Sequence, residues 1–279
     1  MRIFTHLNVD LDATCSVWAA RKYIPGAQQG EVEFRRADWN GEGMSEEDLA
    51  LDLDAGGRGW KGEKREDGKI SSCFGEIIAR HAPANDQLAL APLVKFVEAQ
   101  DAYGNAVEHL VPQAGKATIE CLAATSLNAV LRAFQALYPR DDRKVVEKMS
   151  EVLDGILEQG RLRARAVREA DGAQWVGPKV AIIRNATSPM TNGVLFERGA
   201  RVVVYVDGHN LGVIRAGGES LRMDHPELRA VVEKAGETNE WYAHPAGFLY
   251  CRGSRKSPAT TLTKVNPVEL AETVARLLG

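Results

Sequence analysis

Apolar and polar positions along this chain follow two periods, and the dominant period changes past its middle. Short apolar runs at 1–7, 31–36 and 48–53 read as strands. Between and after them, apolar residues recur at helical spacing over 13–23, 72–82, 87–100 and 119–137. Alternation of this kind predicts a parallel sheet with helices on both faces. Pro139-Arg140-Asp141-Asp142 breaks the helical region, and Asp141 or Asp142 can cap the helix that follows. In that helix Val145, Val146, Met149, Val152, Leu153, Ile156 and Leu157 share a face, before a basic stretch of Arg161, Arg163, Arg165 and Arg168. After Asp171-Gly172, β-branched runs predict strands at 179–184, 201–206 and 209–215, with Asp207-Gly208 as a tight-turn signal. A helix over 226–235, a strand over 247–252 and an amphipathic helix over 268–278 complete the pattern. The expected fold is α/β: a parallel-sheet, doubly wound N-terminal domain (1–138), a helical linker (139–170) and a smaller mixed α/β C-terminal domain (171–279).

Composition narrows the function classes. The 279 residues are 44% hydrophobic and carry a net charge of -3, which argues against bulk electrostatic binding to nucleic acid. The basic stretch at 161–168 reads better as a solvated helix face. No apolar run approaches the roughly 20 residues needed to span a bilayer, and the N-terminus lacks a signal-peptide pattern. The four cysteines are scattered without a CxxC or a Cys/His cluster, so they are expected to be reduced, mostly buried thiols of a cytoplasmic protein.

Candidate chemistry starts where the first strand hands over to a helix. His6-Leu7-Asn8-Val9-Asp10-Leu11-Asp12 puts one imidazole and two carboxylates within seven positions. If the segment stays extended, His6, Asp10 and Asp12 share a face. Ligands of open α/β sheets bind at that edge, and this donor mix suits Mn²⁺, Zn²⁺ or Fe²⁺. A helix N-cap accounts for Asp12 taken alone, but not for a histidine and two acids together. Leu51-Asp52-Leu53-Asp54-Ala55-Gly56-Gly57 repeats the device, two acids at an apparent strand end followed by glycines. Either Asp52 or Asp54 could reach a metal; a turn-initiating Asp before Gly is the structural alternative. Asp101 falls near the negative end of an apolar helix, where a cation would offset it. Near the C-terminus, Arg252, Ser254, Arg255, Lys256 and Ser257 surround Gly253 and suit an oxyanion, with Arg215 able to join them.

In this order the pieces resemble the motifs of the DHH phosphoesterase superfamily, which includes RecJ-type exonucleases, nanoRNases, family II pyrophosphatases and Myg-type exonucleases. His6-xxx-Asp10-x-Asp12 is similar to its first metal motif. Asp52-Leu53-Asp54 is similar to its second acidic strand end, Ser71-Ser72-Cys73-Phe74 to the Ser-Ser that opens a later helix, and Asp101 to its fourth motif. His244-Pro245-Ala246-Gly247-Phe248 resembles the phosphate loop of the associated C-terminal domain. The family's Asp-His-His triplet is missing. The interval 58–69 holds no histidine and offers Lys61, Lys64, Arg65, Glu63, Glu66 and Asp67 instead. Either a lysine or an acid of that interval substitutes, or one metal remains, or the site does not turn over.

The resemblance implies a metal-dependent phosphohydrolase: a phosphodiesterase, oligonucleotide exonuclease or small phosphoester hydrolase. Its ion would be Mn²⁺ (or Mg²⁺ or another divalent metal), held by His6, Asp10, Asp12, Asp52, Asp54 and Asp101 at a domain cleft. Asp10, Asp12, Asp54 and Lys61 would be catalytic, and Arg215, His244, Arg252, Ser254, Arg255 and Lys256 would bind substrate. The expected partner is a phosphate-containing small molecule, a nucleotide or short single-stranded nucleic acid, with no membrane; a homodimer stays open. The competing expectation is a non-catalytic phosphate or nucleotide sensor on the same scaffold.

Overall fold

A computed structural model describes residues 1–63, 71–254 and 256–279, so Lys64, Arg65, Glu66, Asp67 and Arg255 lie outside the described residues. The chain divides into two compact units, Met1–Arg161 and Leu162–Gly279. Among the described residues no helix is long and apolar enough to cross a membrane. The four cysteines are unpaired; Cys15, Cys73 and Cys251 are buried and Cys121 is exposed.

In the first unit β1 (Arg2–His6), β2 (Glu31–Arg35) and β3 (Leu49–Ala50) form a parallel sheet in the order β2-β1-β3. Side-chain alternation assigns its faces. Ile3, Val32 and Leu51 join the main core with helix α1 (Leu11–Tyr23), α2 (Cys73–His81) and α3 (Ala84–Tyr103). Phe4, Ala50 and Leu53 point the other way, where Ala55, Trp39 and Met44 close over them. That second face is therefore sealed by the connections flanking β3, not by one of the expected helices. Helix α1 is buried over Leu11–Ala20, which explains its run of small side chains.

The helix expected over 119–137 is two helices. Helix α4 (Ala106–Leu110) and α5 (Lys116–Ala124) precede a break at Thr125-Ser126, and α6 (Leu127–Leu137) follows. The hydroxyls cause the break: Thr125 Oγ1 donates to the Cys121 carbonyl (3.0 Å), and Ser126 Oγ accepts from the Ala129 N–H (3.3 Å). Helix α7 (Asp142–Asp171) is long, as expected, and its apolar positions are packed. Val145, Val146, Met149, Leu153 and Leu157 enter the first core, while Ala166 and Ala170 enter a core of the second unit. In its basic stretch Arg161 makes a two-pronged pair with Asp86 (2.8 and 2.8 Å) and Arg163 bonds Glu197, while Arg163, Arg165 and Arg168 are exposed, as a solvated face requires.

The second unit is a six-stranded mixed sheet in the order β4-β5-β6-β7-β9-β8. Its strands are β4 (Gln174–Val176), β5 (Val180–Arg184), β6 (Val202–Asp207), β7 (Asn210–Arg215), β8 (Tyr242–Ala243) and β9 (Leu249–Arg252). Among the described residues of this sheet, only β5 and β6 pair in parallel. Helices α9 (Pro226–Lys234) and α10 (Pro267–Leu278) cover Val180, Ile182, Val202 and Val204. Helix α8 (Thr191–Glu197) and the end of α7 cover Ala181, Ile183 and Val203. The three-residue β4 and the seven-residue α8 are too short to show a period in the sequence.

Candidate metal centre

His6 ends β1, and the chain then turns sharply. Asn8 adopts a left-handed φ of 54°, and α1 begins at Leu11 with Asp10 as its N-cap (Ala13 N–H to Asp10 Oδ1, 2.9 Å). The extended geometry expected for 6–12 therefore stops at His6, and the two acids diverge. Asp10 turns back toward His6. Asp12 is 2% exposed, and its oxygens accept from the Cys73 and Phe74 N–H groups (2.9 Å each) at the start of α2. Ser72, from the predicted Ser-Ser pair, caps the same helix through Gly75 N–H (3.0 Å).

The second acidic motif divides in the same way. Asp52, also left-handed (φ 54°), is pinned by its N–H to the Trp60 carbonyl (2.8 Å). Its carboxylate meets His6. Asp54 is exposed and caps a short 3₁₀ turn through Gly57 N–H (3.3 Å), so it is not one of the converging acids. Gly59 allows this close fold: a β-carbon there would stand 1.7 Å from the Leu53 carbonyl oxygen.

His6, Asp10 and Asp52 thus offer three ligand atoms all within 4.8 Å of one another. His6 Nε2 lies 3.2 Å from Asp52 Oδ2 and 3.7 Å from Asp10 Oδ1, while Nδ1 donates to the Leu7 carbonyl (3.0 Å). Hydrogen bonding to Asp10 and then Asp52, against the cost of burial, raises the imidazole pKa to about 10. An imidazolium therefore bridges the two carboxylates, and a metal at Nε2 has to displace its proton. Burial pushes the Asp10 carboxyl up, but His6 and the Ala13 N–H outweigh it and hold it below the usual range.

Two more acids lie beside the trio. Burial first, then the charges of Asp52 and Asp101, raises Asp12 to about 7 despite its two N–H bonds. Asp101, in the last turn of α3, is raised by burial and by Asp52 and Asp10, with Lys61 opposing. Asp10, Asp12 and Asp101 line one cavity of about 250 Å³. Cys73 borders the acids, yet burial and the Asp12 charge hold its thiol protonated, which excludes it as a nucleophile.

Sequence reasoning missed the groups that position the trio. Asp142, read only as a helix cap, accepts from Asn8 N–H (2.9 Å) and Val9 N–H (3.3 Å), and Gln135 Nε2 donates to the Val9 carbonyl (2.8 Å). Asn8 was the one available signal, since asparagine tolerates the left-handed turn that such clamps hold.

Among the described residues, the members expected for the C-terminal oxyanion clamp are not brought together; Arg255 lies outside the described residues. Arg252 is 3% exposed and spent on Glu240 (2.8 Å from Nε) and on Thr261. One guanidinium nitrogen of Arg215 donates to the Ala216 and Glu219 carbonyls, while its buried Nε has no hydrogen-bond partner. His244 sits in the β8–β9 turn, where its Nδ1 accepts from Ala246 N–H (3.1 Å) and its ring packs on Phe248 (4.1 Å). Ser254 follows the other end of β9, about 13 Å of strand away. It turns back on Ser257 and borders a separate cavity of about 280 Å³ with Ser188, Thr191 and Asn210. Lys256 is exposed.

No family model matches this chain, and no curated protein matches it in sequence. Solved structures do align over nearly all of it, weakly. A crystal structure of an uncharacterized protein from Helicobacter pylori G27 is 10% identical over 99% of this chain and 98% of its own, with a TM-score of 0.24. A pGpG-specific phosphodiesterase from Vibrio cholerae is 13% identical over 100% and 97%, with a TM-score of 0.33. RecJ from Thermus thermophilus, solved with Mg²⁺, is 12% identical over 99% of this chain and 50% of its own, with a TM-score of 0.30. Likeness at this level is distant and assigns no residue and no activity.

Proposed function

We propose that this chain is a metal-dependent phosphohydrolase, with His6, Asp10 and Asp52 as the central ligands of a Mn²⁺- or Mg²⁺-type ion. The convergence of those three side chains carries the reading, because His6 and Asp52 meet across 46 residues of sequence. One imidazole nitrogen with two carboxylates fits a harder divalent ion and not a thiolate-seeking one. Asp12 and Asp101 add negative charge beside the trio, and the whole is self-repelling without a cation. A divalent ion bound there supplies Lewis acidity and a water acidified toward neutral pH. The chain's part is to surrender the His6 Nε2 proton, to hold Asp10 through the Asp142 and Gln135 clamps, and to keep Asp52 on its turn. Lys61, whose charge opposes the rise of the Asp101 pKa, would attract a phosphoester in place of the missing triplet. Substrates of this class are small phosphate esters, nucleotides and short single strands, with exonuclease action the finer form.

One observation favours a second reading, a phosphate or nucleotide sensor without turnover: the interval 58–69 contains no histidine to complete a two-ion site. Mn²⁺ titration followed by a phosphoester panel separates the two. The enzyme reading expects a Mn²⁺ isotherm and turnover, both abolished by Asp52→Asn. Mn²⁺ binding without turnover selects the sensor, and no Mn²⁺ binding defeats both.

A further inference from the structure

The wall of the acid-lined cavity opposite Asp10, Asp12 and Asp101 belongs to α6. Asn128, Leu131, Arg132 and Gln135 line it at i, i+3, i+4 and i+7, one helical face. The adjacent stripe of the same helix, Leu127, Val130 and Phe134, packs against the first core. Helix α6 thus turns an apolar stripe to the core and a mainly polar one to the acids, with Leu131 buried between them.

The polar groups on this wall differ in what they have left to offer. Gln135 is committed to the Val9 carbonyl, and Gln100 to the Gly104 carbonyl and the Ala106 N–H. Among the described residues, Arg132 makes no ion pair and neither Arg132 nor Asn128 makes a side-chain hydrogen bond, although three acids line the same cavity. Arg132 is exposed at the rim. An anion alone is repelled by the acids. An anion shared between a cation on the acids and a guanidinium on the facing helix is attracted from both sides.

Resting on the metal reading above, we propose that Arg132, with Asn128 beside it, is the phosphate-recognition wall of this site. The guanidinium fork matches two oxygens of a phosphoryl group, and the Asn128 amide supplies a neutral donor. A volume of about 250 Å³ lies just below the range of ligand pockets, so it suits a phosphoryl group and its nearest substituent, not a whole dinucleotide.

The experiment titrates inorganic phosphate into the Mn²⁺-loaded full chain by calorimetry, with Mn²⁺ affinity measured separately. Arg132→Gln is expected to weaken phosphate binding roughly 10- to 100-fold. Its Mn²⁺ affinity is expected to stay level or tighten, since a nearby positive charge is gone. Arg132→Lys should recover part of the loss, keeping charge without the fork, and Asn128→Ala should lose less than Arg132→Gln. Phosphate binding by Arg132→Gln equal to wild type overturns the proposal and leaves the metal site standing. So does a wild-type protein that binds Mn²⁺ but no phosphate. Loss of Mn²⁺ binding in Arg132→Gln also counts against it, because a rim guanidinium that reads an anion has no part in holding the cation. A wild-type chain that binds no Mn²⁺ removes the metal reading and this one with it.

Discussion

Each unit of this molecule gathers carboxylates, and the two gatherings are built on opposite terms. In the second unit Glu237 is 5% exposed and fully engaged. It accepts from Thr263 Oγ1 (2.6 Å), Lys264 N–H (2.7 Å) and Trp241 Nε1 (3.4 Å), with Arg252 3.6 Å away. Arg252 in turn holds Glu240. In the first unit Asp10 and Asp52 share a single imidazole, and beside them Asp12 and Asp101 are raised in pKa by burial first and then by neighbouring carboxylates. Paired charge of the first kind holds a sheet edge together. Crowded charge of the second kind, four acids with one imidazole among them, costs the fold, and a cation at that place would offset the cost.

The sharpest way to break this comparison is to spoil the paired cluster. Arg252→Met leaves Glu237 buried without its cation and is expected to cost roughly 3–5 kcal/mol of the second unit's stability. Hydrogen exchange along β7 and β9 reads it, and Mn²⁺ affinity should stay within twofold. A large loss of Mn²⁺ binding would show that the two clusters are not independent. The next largest effect is the converse: Asp52→Asn should lower Mn²⁺ affinity about 100-fold or more, a free-energy loss near 3 kcal/mol, with exchange in the second unit unchanged. Retained affinity would remove Asp52 from the ligand set.

The same contrast explains what could be read in advance. The sheet strands and most helices were legible because burial imposes a period, as in Val180–Arg184 with its alternating partners on two sheet faces. His6, Asp10 and Asp52 do meet, and that these three side chains could converge was legible because two strand ends each carry polar residues. The division of labour within each acidic pair was not. Whether Asp10 or Asp12 faces the histidine depends on one left-handed residue, Asn8, held by Asp142 from 134 positions away. The sequence pattern that suggests two acids on one face is equally that of one acid turned to the histidine and one buried at the start of another helix. The basic run at 252–256 misled for a similar reason: composition does not say that Arg252 turns inward to Glu240 while Lys256 stays outside.

Acid sharpens the comparison with a smaller effect. Burial pushes the Glu237 carboxyl up from its ordinary 4.5, but the Thr263, Lys264 and Trp241 donors and the Arg252 charge outweigh it and hold it lower. A depressed pKa contributes stability that is present above the unfolded value and lost as pH falls through the folded one. Asp12 carries the opposite sign. Its pKa rises from 3.8 to about 7, so its ionisation costs the fold as pH climbs between those values. With divalent ions chelated, lowering the pH from 7 to 5 is expected to stabilise the first unit, read as higher protection factors after correction for the intrinsic pH dependence of exchange, and to leave the second unit's protection factors unchanged. Below about 4.5 the second unit should loosen, and Glu237→Gln should flatten that loss. Equal responses of both units to pH would erase the distinction drawn between them.

Asp101→Asn gives the smallest effect and the finest cut. Its raised pKa means that the charged form is disfavoured in the fold, so removing the charge relieves the metal-free protein at neutral pH. Asp101 is exposed, and water screens most of that repulsion. The expected gain is a few tenths of a kcal/mol, about 1 °C in the metal-free melting temperature. Mn²⁺ should reverse the order: a ligand raises the melting temperature by its binding free energy, and the wild type, with one more negative charge at the cavity, should bind the ion more tightly and overtake the variant. If the two chains melt together both without and with Mn²⁺, Asp101 is a bystander on the helix end, and the cation site contracts to His6, Asp10 and Asp52. If the order reverses, the acid that looked misplaced at the negative end of α3 is there because the ion offsets both charges at once.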